Sequence, residues 1–574
     1  MFLVAITKDE ISQNFDSVDI EESKIDAFIV TSITDNFLSK RIFEKNGFSI
    51  IESPLISSDI NKIIFSKFSY NHIENVFHIS KSTMSGRPIY YYLNPKGEFF
   101  CSTHISMLRS AGVPIEENTD VLPEFFTYRI VMPPQTLYQD IKQLSSGEHF
   151  RIKIVNGNCL VQPVKFFDLP EKNQNITSVQ NASKEIKHLL SQSINNLSFR
   201  KEEIAPLLSG GLDSSILCRI CQEDLGINTS YSTGYPFEDP TLNIEKSYAL
   251  SAGKAFGMNH EYYESTTSEY LTGFLEAIAL SEQPLHHHQS VCLHLLYKKG
   301  IPQSKKIVVE GWGAGGSFGN FRNYLFYKDK IIFKLLTKKP FQFILKSLPK
   351  ISDLGERSVD MLLKSTLDIP LSDPNHPVWF YHEYGDKNWV CRYLNVSKQN
   401  IIKGQYNSLK RFENNSIYDI IALYSLLGDE DVTLSILSKI GEGNHKILYV
   451  PFYDYELLQY VSSIPWKIKL RRPENILRKS VARQCNVPDF IINRPKTGFG
   501  IYSKHWSEKG GIFEPLVPLA SKIFDEKEIR KMQISSDSRK AQTFWNMLNY
   551  AVWKRLHIYN EPLDVLLEEL NVKV

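Results

Sequence analysis

The sequence predicts an α/β protein in which a β-rich first domain, residues 1–170, precedes a larger domain, residues 178–574, built on a doubly wound parallel sheet. Three observations carry that expectation. Aromatic and β-branched runs bounded by turn residues crowd the first 170 residues. From about residue 178, short apolar runs alternate with helical patterns, as in a parallel sheet covered by helices on both faces. From about residue 321 onward the pattern is mostly helical, giving the second domain a helical extension.

In the first domain, Pro88–Leu93, Gly97–Ser102 and Gly147–Ile152 read as strands. A polar stretch from Pro170 to Thr177 reads as a linker, and the helix after it carries Val179, Ala182, Ile186, Leu189 and Leu190 on one face. The second domain opens with Ile204-Ala205-Pro206-Leu207-Leu208, the apolar run of a buried strand. Ser209-Gly210-Gly211 follows as a tight turn. Ile216, Leu217, Ile220, Cys221 and Leu225 then make a helical stripe that stops at Gly226, a good C-terminal cap. Further strands are expected at 227–231, 260–263 and 307–310, with helices around 244–257, 268–280 and 288–298. In such a sheet, ligands bind beyond the carboxyl ends of the strands, where Ser209 and the glycine-rich turn Gly311-Trp312-Gly313-Ala314-Gly315-Gly316 both fall.

A strand, a Ser-Gly-Gly turn and a helix N-terminus make a ready anion site, because backbone N–H groups converge there without side chains in the way. Asp213 beside a bare phosphate would repel it; a divalent cation between carboxylate and phosphate removes the conflict. A plain turn with Asp213 and Ser214 as helix caps is the simpler alternative, but it does not require two glycines, a carboxylate and three hydroxyls together. No Gly-Lys-Ser/Thr ends the turn, so this is not a Walker A loop.

The totals set bounds. A chain of 574 residues has room for two or three domains with large cores, and 42% hydrophobic with 23% charged residues describes an ordinary globular protein. A formal net charge of +2 gives no reason to expect a nucleic-acid partner. Seven scattered cysteines form no disulfide framework, and no run approaches a membrane span, so a cytoplasmic location is expected.

Ser209-Gly210-Gly211-Leu212-Asp213-Ser214 resembles the pyrophosphate loop (PP-loop) of the ATP pyrophosphatases, which split ATP between the α and β phosphates. Over nearly the whole chain the resemblance is to the asparagine synthetase family, whose relatives include β-lactam synthetases and lasso-peptide cyclases. Glu245-Lys246-Ser247-Tyr248-Ala249 resembles its Glu-x-x-Tyr-Ala helix, and Glu282-Gln283-Pro284 sits where the family carries Glu-Pro. Pro451-Phe452-Tyr453-Asp454 resembles its Pro-Phe-Leu-Asp, and Arg494-Pro495-Lys496-Thr497-Gly498-Phe499 its Pro-Lys-x-Gly-Phe loop. Lys96–Ser102, Thr136-Leu137 and Leu144–Gly147 look like the glutamine amidotransferase half, which implies an Ntn-hydrolase-like αββα fold for the first domain.

The resemblance implies ATP and Mg2+ as cofactors and an acyl-adenylate intermediate. It places Leu208, Ser209, Gly210, Gly211, Leu212, Asp213, Ser214, Gly311 and Gly313 around the nucleotide. Asp213 would hold the metal, with Glu310 near enough in sequence to contribute, and Lys496 would lie against the α-phosphate. Asp213 and Lys496 are therefore the catalytic candidates.

Three departures accompany the matches. The family's glutaminase uses an N-terminal cysteine, whereas Phe2 follows Met1 here, and Ser82 stands where the first domain usually carries Asp. The family's metal-ligand Asp in the glycine-rich turn corresponds to Gly315, and Trp312 falls where β-lactam synthetases place a catalytic tyrosine; an indole N–H is no base. Ile447-Leu448-Tyr449-Val450 replaces the family's Glu-x-Arg-x, which implies an unusual acceptor side. The expectation is an ATP-dependent amide-forming ligase without its own glutaminase. Its amine would come from ammonia or from the substrate itself, as in peptide macrolactam or lactam formation. The carboxylate substrate is then a small molecule or a peptide, with a precursor peptide or tailoring enzyme as partner. The alternative is a degenerate homologue that binds nucleotide or a partner without turnover.

Three other features have plainer readings. Cys218 and Cys221 form a C-x-x-C with no second pair at zinc spacing, so they read as buried core cysteines. His286-His287-His288, with His294, cannot all converge on one ion from a helix or strand and reads as a loop or an acceptor-pocket wall. Lys328–Lys350 reads as a helix pair with solvated lysines, in a region where acceptor docking would occur.

Overall fold

The computed structural model describes residues 2–8, 19–25, 28–34, 39–44, 47–52, 66–83, 86–165, 169–197, 199–235, 240–319, 369–381, 383–471, 473–494, 504–533 and 537–570. Lys328–Lys350 and Lys496 lie outside the described residues.

The N-terminal part is a pair of six-stranded antiparallel sheets. Its strands are β1 (Phe2–Thr7), β2 (Asp19–Ile25), β3 (Phe28–Thr34), β4 (Ser39–Glu44), β5 (Gly47–Glu52) and β6 (Ser66–Asn71). They continue with β7 (Val76–Lys81), β8 (Tyr90–Leu93), β9 (Phe99–Ser102), β10 (Lys142–Gln143), β11 (His149–Val155) and β12 (Asn158–Lys165). One sheet runs β10-β8-β9-β1-β3-β2 and the other β12-β11-β7-β6-β5-β4. Phe2, Val4, Ile6, Phe99 and Cys101 from the first sheet meet Ile50, Phe68, Phe77, Ile79 and Ile152 from the second in one apolar layer. β1 is buried at every position, as its unbroken apolar run requires. The opposite face of the first sheet, with Leu3, Ala5 and Phe100, packs on the helices Ile105–Ser110 and Leu122–Tyr128. Val155, Leu160 and Val164 of the second sheet are exposed. Among the described residues the layers are therefore helix, sheet, sheet, without the second helical layer of the αββα expectation.

The second part is parallel. β13 (Ile204–Pro206), β16 (Ile307–Val309) and β17 (Ile447–Tyr449) form one ladder, and β14 (Thr229–Thr233) pairs with β15 (Asn259–Tyr263). Leu207 bridges to Tyr231 in parallel, and Leu208 N donates to Tyr231 O at 2.9 Å, which joins the two ladders in the order β15-β14-β13-β16-β17. Chain order thus reverses direction between β13 and β16, the crevice at which open α/β sheets bind ligands. Helices Val179–Asn195 and Leu212–Leu225 bury Ala182, Ile186, Leu190, Ile216 and Ile220 against it. Ile447-Leu448-Tyr449 is itself the buried β17, and the Tyr449 hydroxyl donates to Ser193 O at 3.1 Å.

Helix Asp431–Gly443 makes several of the buried ion pairs between the two parts. Lys81 Nζ lies 2.7 Å from Asp431, whose other oxygen accepts from Ser146 at 2.8 Å. Arg87 meets Glu442 at 3.1 Å, and Lys439 meets Glu282 at 2.6 Å. Glu282 also accepts the Ile105 and Ser106 N–H groups at 2.8 Å each. Burial alone would raise the Glu282 carboxyl, but Lys439 outweighs it and holds the group well below the usual carboxylate range.

Lys81→Met leaves Asp431 charged and fully buried, and the expected loss is about 3–5 kcal/mol of unfolding free energy by chemical denaturation. Lys81→Met combined with Asp431→Leu should regain most of it. Equal losses in the single and double variants would show that the pair is not coupled.

Candidate functional site

The turn after β13 is held in a conformation that only glycine fits. Gly210 has φ +67°, and a Cβ there would lie 2.5 Å from the Tyr248 carbonyl oxygen and 2.8 Å from Ala249 N. These are backbone atoms, so no side-chain movement relieves the clash. Arg494 locks the same place. Its Nη1 donates to Gly210 O at 2.9 Å, its Nη2 to Glu245 at 2.5 Å, and its guanidinium lies 4.2 Å over the Tyr248 ring. The Glu-x-x-Tyr-Ala helix and the residue that opens the Pro-Lys-x-Gly-Phe segment therefore meet on one glycine. Two serines tie the turn internally, since Ser209 N donates to Ser214 Oγ at 3.2 Å and the two hydroxyls lie 3.0 Å apart. Helix Leu212–Leu225 starts at this turn with Gly211 as its N-cap and no side-chain cap, so the positive end of its dipole stands at the crevice.

Asp213, in the first turn of that helix, is bridged by Arg478 Nη1 at 3.1 and 2.8 Å. Arg478 is 3% exposed and belongs to the helix Ile476–Gln484, where it sits among the buried Leu477, Val481 and Ala482. Sequence reasoning missed it; an arginine in the middle of a buried stripe was the available signal. The Asp213 side chain keeps 22% of its exposure, and one arginine nitrogen does not exhaust the lone pairs of a carboxylate. The group therefore fits a role as the single protein carboxylate on a Mg2+ otherwise ligated by phosphates and water.

The glycine-rich turn after β16 rests directly on the first turn. A Cβ on Gly311 would be 2.9 Å from Ser214 N, and Gly313, at φ +90°, has the Tyr453 ring where its side chain would go. Glu310 N donates to Tyr449 O at 2.9 Å, which anchors the turn to β17. The Glu310 carboxyl is buried and accepts from the Tyr297 hydroxyl. Burial pushes it up to about 7, against the opposing hydrogen bonds from Tyr297 and Trp312. Gly315 has open space, its nearest neighbour being Glu430 Oε1 at 3.8 Å from a Cβ built there. Gly316 N donates to that same oxygen at 3.1 Å, and the Tyr453 hydroxyl donates to the other. A carboxylate thus stands over Gly315 and Gly316, delivered by the π-helical turn Ser425–Glu430. Sequence reasoning missed Glu430 as well, since no motif marks it.

The remaining candidates are placed as follows. Leu208 is fully buried behind the turn, and Leu212 packs at the edge of the same apolar cluster. Cys218 and Cys221 are both fully buried, and burial pushes their thiols up, that of Cys221 to about 12. Phe2, where the resemblance puts a nucleophile, is fully buried; its N–H donates to Thr103 Oγ1 at 3.1 Å and its carbonyl accepts from Ser102 at 2.7 Å.

Comparison with known proteins bears on this arrangement. The asparagine synthase family model matches residues 185–415 and 438–555, more than half of the chain. The chain belongs to the asparagine synthase family. It is similar to asparagine synthetase [glutamine-hydrolyzing] 1 of Bacillus subtilis (strain 168), with 22% identity over 514 residues, 86% of this chain and 78% of that protein. It is also similar to a putative asparagine synthetase [glutamine-hydrolyzing] of Mycobacterium bovis, with 21% identity over 486 residues, 81% of this chain and 71% of that protein. A Mycobacterium tuberculosis protein of the same description matches to the same extent. Among the described residues, no helix of this family member is long and apolar enough to cross a membrane.

Two outcomes follow for this asparagine synthase family chain. Gly210→Ala should weaken ATP binding at least tenfold by titration calorimetry and lower stability by about 1–3 kcal/mol, because the clash is with backbone. An unchanged affinity would mean that the turn does not hold the nucleotide. Glu310 binds its proton up to about pH 7 when folded but only to the ordinary 4.5 when unfolded, so its contribution to stability falls as pH rises through that window. Glu310→Gln should therefore gain on the parent chain between pH 5 and pH 8, by no more than about 3 kcal/mol in urea unfolding. A constant difference across that range would contradict the assignment.

Proposed function

We propose that the chain is an ATP-dependent amide-forming ligase that works through an acyl-adenylate and releases AMP and pyrophosphate, without glutaminase activity of its own. The observation that carries this reading is the seating of the Gly311 turn on the Gly210 turn at the reversal point of the sheet. In it, residues 178–574 are the ATP-pyrophosphatase domain and residues 1–170 an Ntn-type amidotransferase-like domain that has lost its chemistry. The buried Phe2 supports the second half of that assignment, since a phenyl ring offers no nucleophile.

In the proposed reaction the Ser209–Gly211 amides and the helix dipole receive the pyrophosphate end of ATP. Leu208, Leu212, Ser214, Gly311 and Gly313 wall the crevice. Asp213 would hold Mg2+, which when bound neutralises phosphate charge, and Arg478 fixes the position of that carboxylate. The substrate carboxylate attacks the α-phosphorus, pyrophosphate departs, and an amine displaces AMP from the acyl carbon. Lys496 stabilises the charge that develops in both steps; it follows by two positions the Arg494 that clamps Gly210. The amine is ammonia or part of the substrate, and a peptide or natural-product lactam fits the missing nucleophile as well as asparagine does. A precursor peptide or tailoring enzyme is the partner this chemistry would require, and the cytoplasm supplies the ATP.

The test is carboxylate-dependent exchange of labelled pyrophosphate into ATP, run with aspartate and with candidate peptides. Exchange is expected with at least one carboxylate, and Lys496→Ala should lower it by roughly a hundredfold or more. Tight ATP binding with no exchange for any carboxylate would point instead to a nucleotide-binding homologue without turnover.

A further inference from the structure

We propose that His286, His287 and Asp429 form a site for a transition-metal dication of the Zn2+ class, separate from any magnesium at Asp213. One ligand atom from each residue lies within 4.8 Å of the other two. Two imidazoles and a carboxylate are the donor set such a cation takes, and a hard cation such as Mg2+ prefers oxygen donors alone. His286 and His287 come from the loop between helices Thr267–Ser281 and Gln289–Leu295, and Asp429 from the π-helical turn Ser425–Glu430. A loop lets two adjacent histidines turn to one point, which neither a helix nor a strand allows. His288 faces away, its ring 4.1 Å from that of Trp545.

Contacts around the His286 ring supply the second observation. The Thr433 hydroxyl, which donates to Asp429 O at 2.7 Å, also lies 2.5 Å from His286 Nδ1, and that outer-shell contact orients the imidazole. His286 Nε2 lies 2.9 Å from Asp429 Oδ1, the His286 side chain being fully buried and that of Asp429 15% exposed. The His287 ring is tilted against that of His286 at 4.0 Å and lies 5.7 Å from Trp312, so a bound ion would pin the histidine loop to the turn bearing Glu430, beside the glycine-rich turn.

The experiment uses the full chain, stripped with a chelator, without nucleotide and in millimolar Mg2+, titrated with Co2+ and Zn2+. One equivalent of Co2+ should bind with visible d–d absorption, be displaced by Zn2+, and quench emission that Trp312→Phe removes. His287→Ala and Asp429→Asn should each weaken Zn2+ binding by tenfold or more, and Thr433→Val severalfold. His188→Ala, at an exposed position, should leave it unchanged. Circular dichroism of each variant separates lost binding from lost folding, and at least one of His287→Ala and Asp429→Asn must fold for the comparison. No stoichiometric binding, or binding that both folded variants retain, overturns the proposal. Because the readout is metal binding, either result leaves the ligase reading standing or falling on pyrophosphate exchange alone.

Discussion

Two backbone approaches too tight for a Cβ set the geometry of the crevice. Gly210 is pressed against Tyr248 and Ala249, and Gly311 against Ser214. The roots of the first turn are fixed on both sides, because Leu207 N donates to Val309 O and Leu208 N to Tyr231 O. The turn can therefore neither slide along the sheet nor rise from it. Arg494 adds a charge-assisted bond to Glu245 and another to the Gly210 carbonyl, each of a kind worth about 1.5–3 kcal/mol. The amides that would face an anion are thus positioned before any ligand arrives, and a preorganised set of dipoles costs no rearrangement on binding.

The N-terminal sheets are tied into the same geometry. Helix Asp431–Gly443 follows directly on the π-helical turn that ends at Glu430. Its first residue is gripped by Lys81 and Ser146 of the sandwich, and its later residues Lys439 and Glu442 by Glu282 and Arg87. Buried pairs of this kind add little net stability compared with apolar packing, but breaking one is expensive, so they fix register. The register fixed at Asp431 is the register of Glu430 over Gly316. The sandwich thus contributes to the position of Glu430 by holding the helix that follows it.

Much of this was legible in the sequence where local chemistry decides structure. The apolar run at Ile204–Leu208, the glycine pair and the stripe ending at Gly226 gave the strand, turn and helix that are seen, because each depends on neighbours in sequence. The strands near residues 90, 100 and 150 and the helix from Val179 followed for the same reason. Contacts made across hundreds of residues were not legible. Arg478 reaches Asp213, and Lys81 reaches Asp431, 350 positions away. Their side-chain types are ordinary, and only the fold makes them partners. Ile447-Leu448-Tyr449 forms the buried edge strand β17 beside β16, as a β-branched and aromatic run favours.

The glycine-rich turn leaves room for a carboxylate delivered from another element. By resemblance the family carries Asp and Glu where this chain has Gly315 and Gly316. A Cβ on Gly316 would lie 3.1 Å from both oxygens of Glu430 and 3.2 Å from the Ser425 Cβ, so a side chain there and Glu430 in its present seat compete for one volume. A carboxylate at position 315 would meet Glu430 Oε1 across a few ångströms, and two like charges in a half-buried site repel. The turn leaves that space open, and the Tyr453 hydroxyl and the Gly316 amide hold the Glu430 carboxylate in it. The π-helical turn that carries Glu430 runs directly into the helix anchored by Lys81 in the opposite half of the molecule.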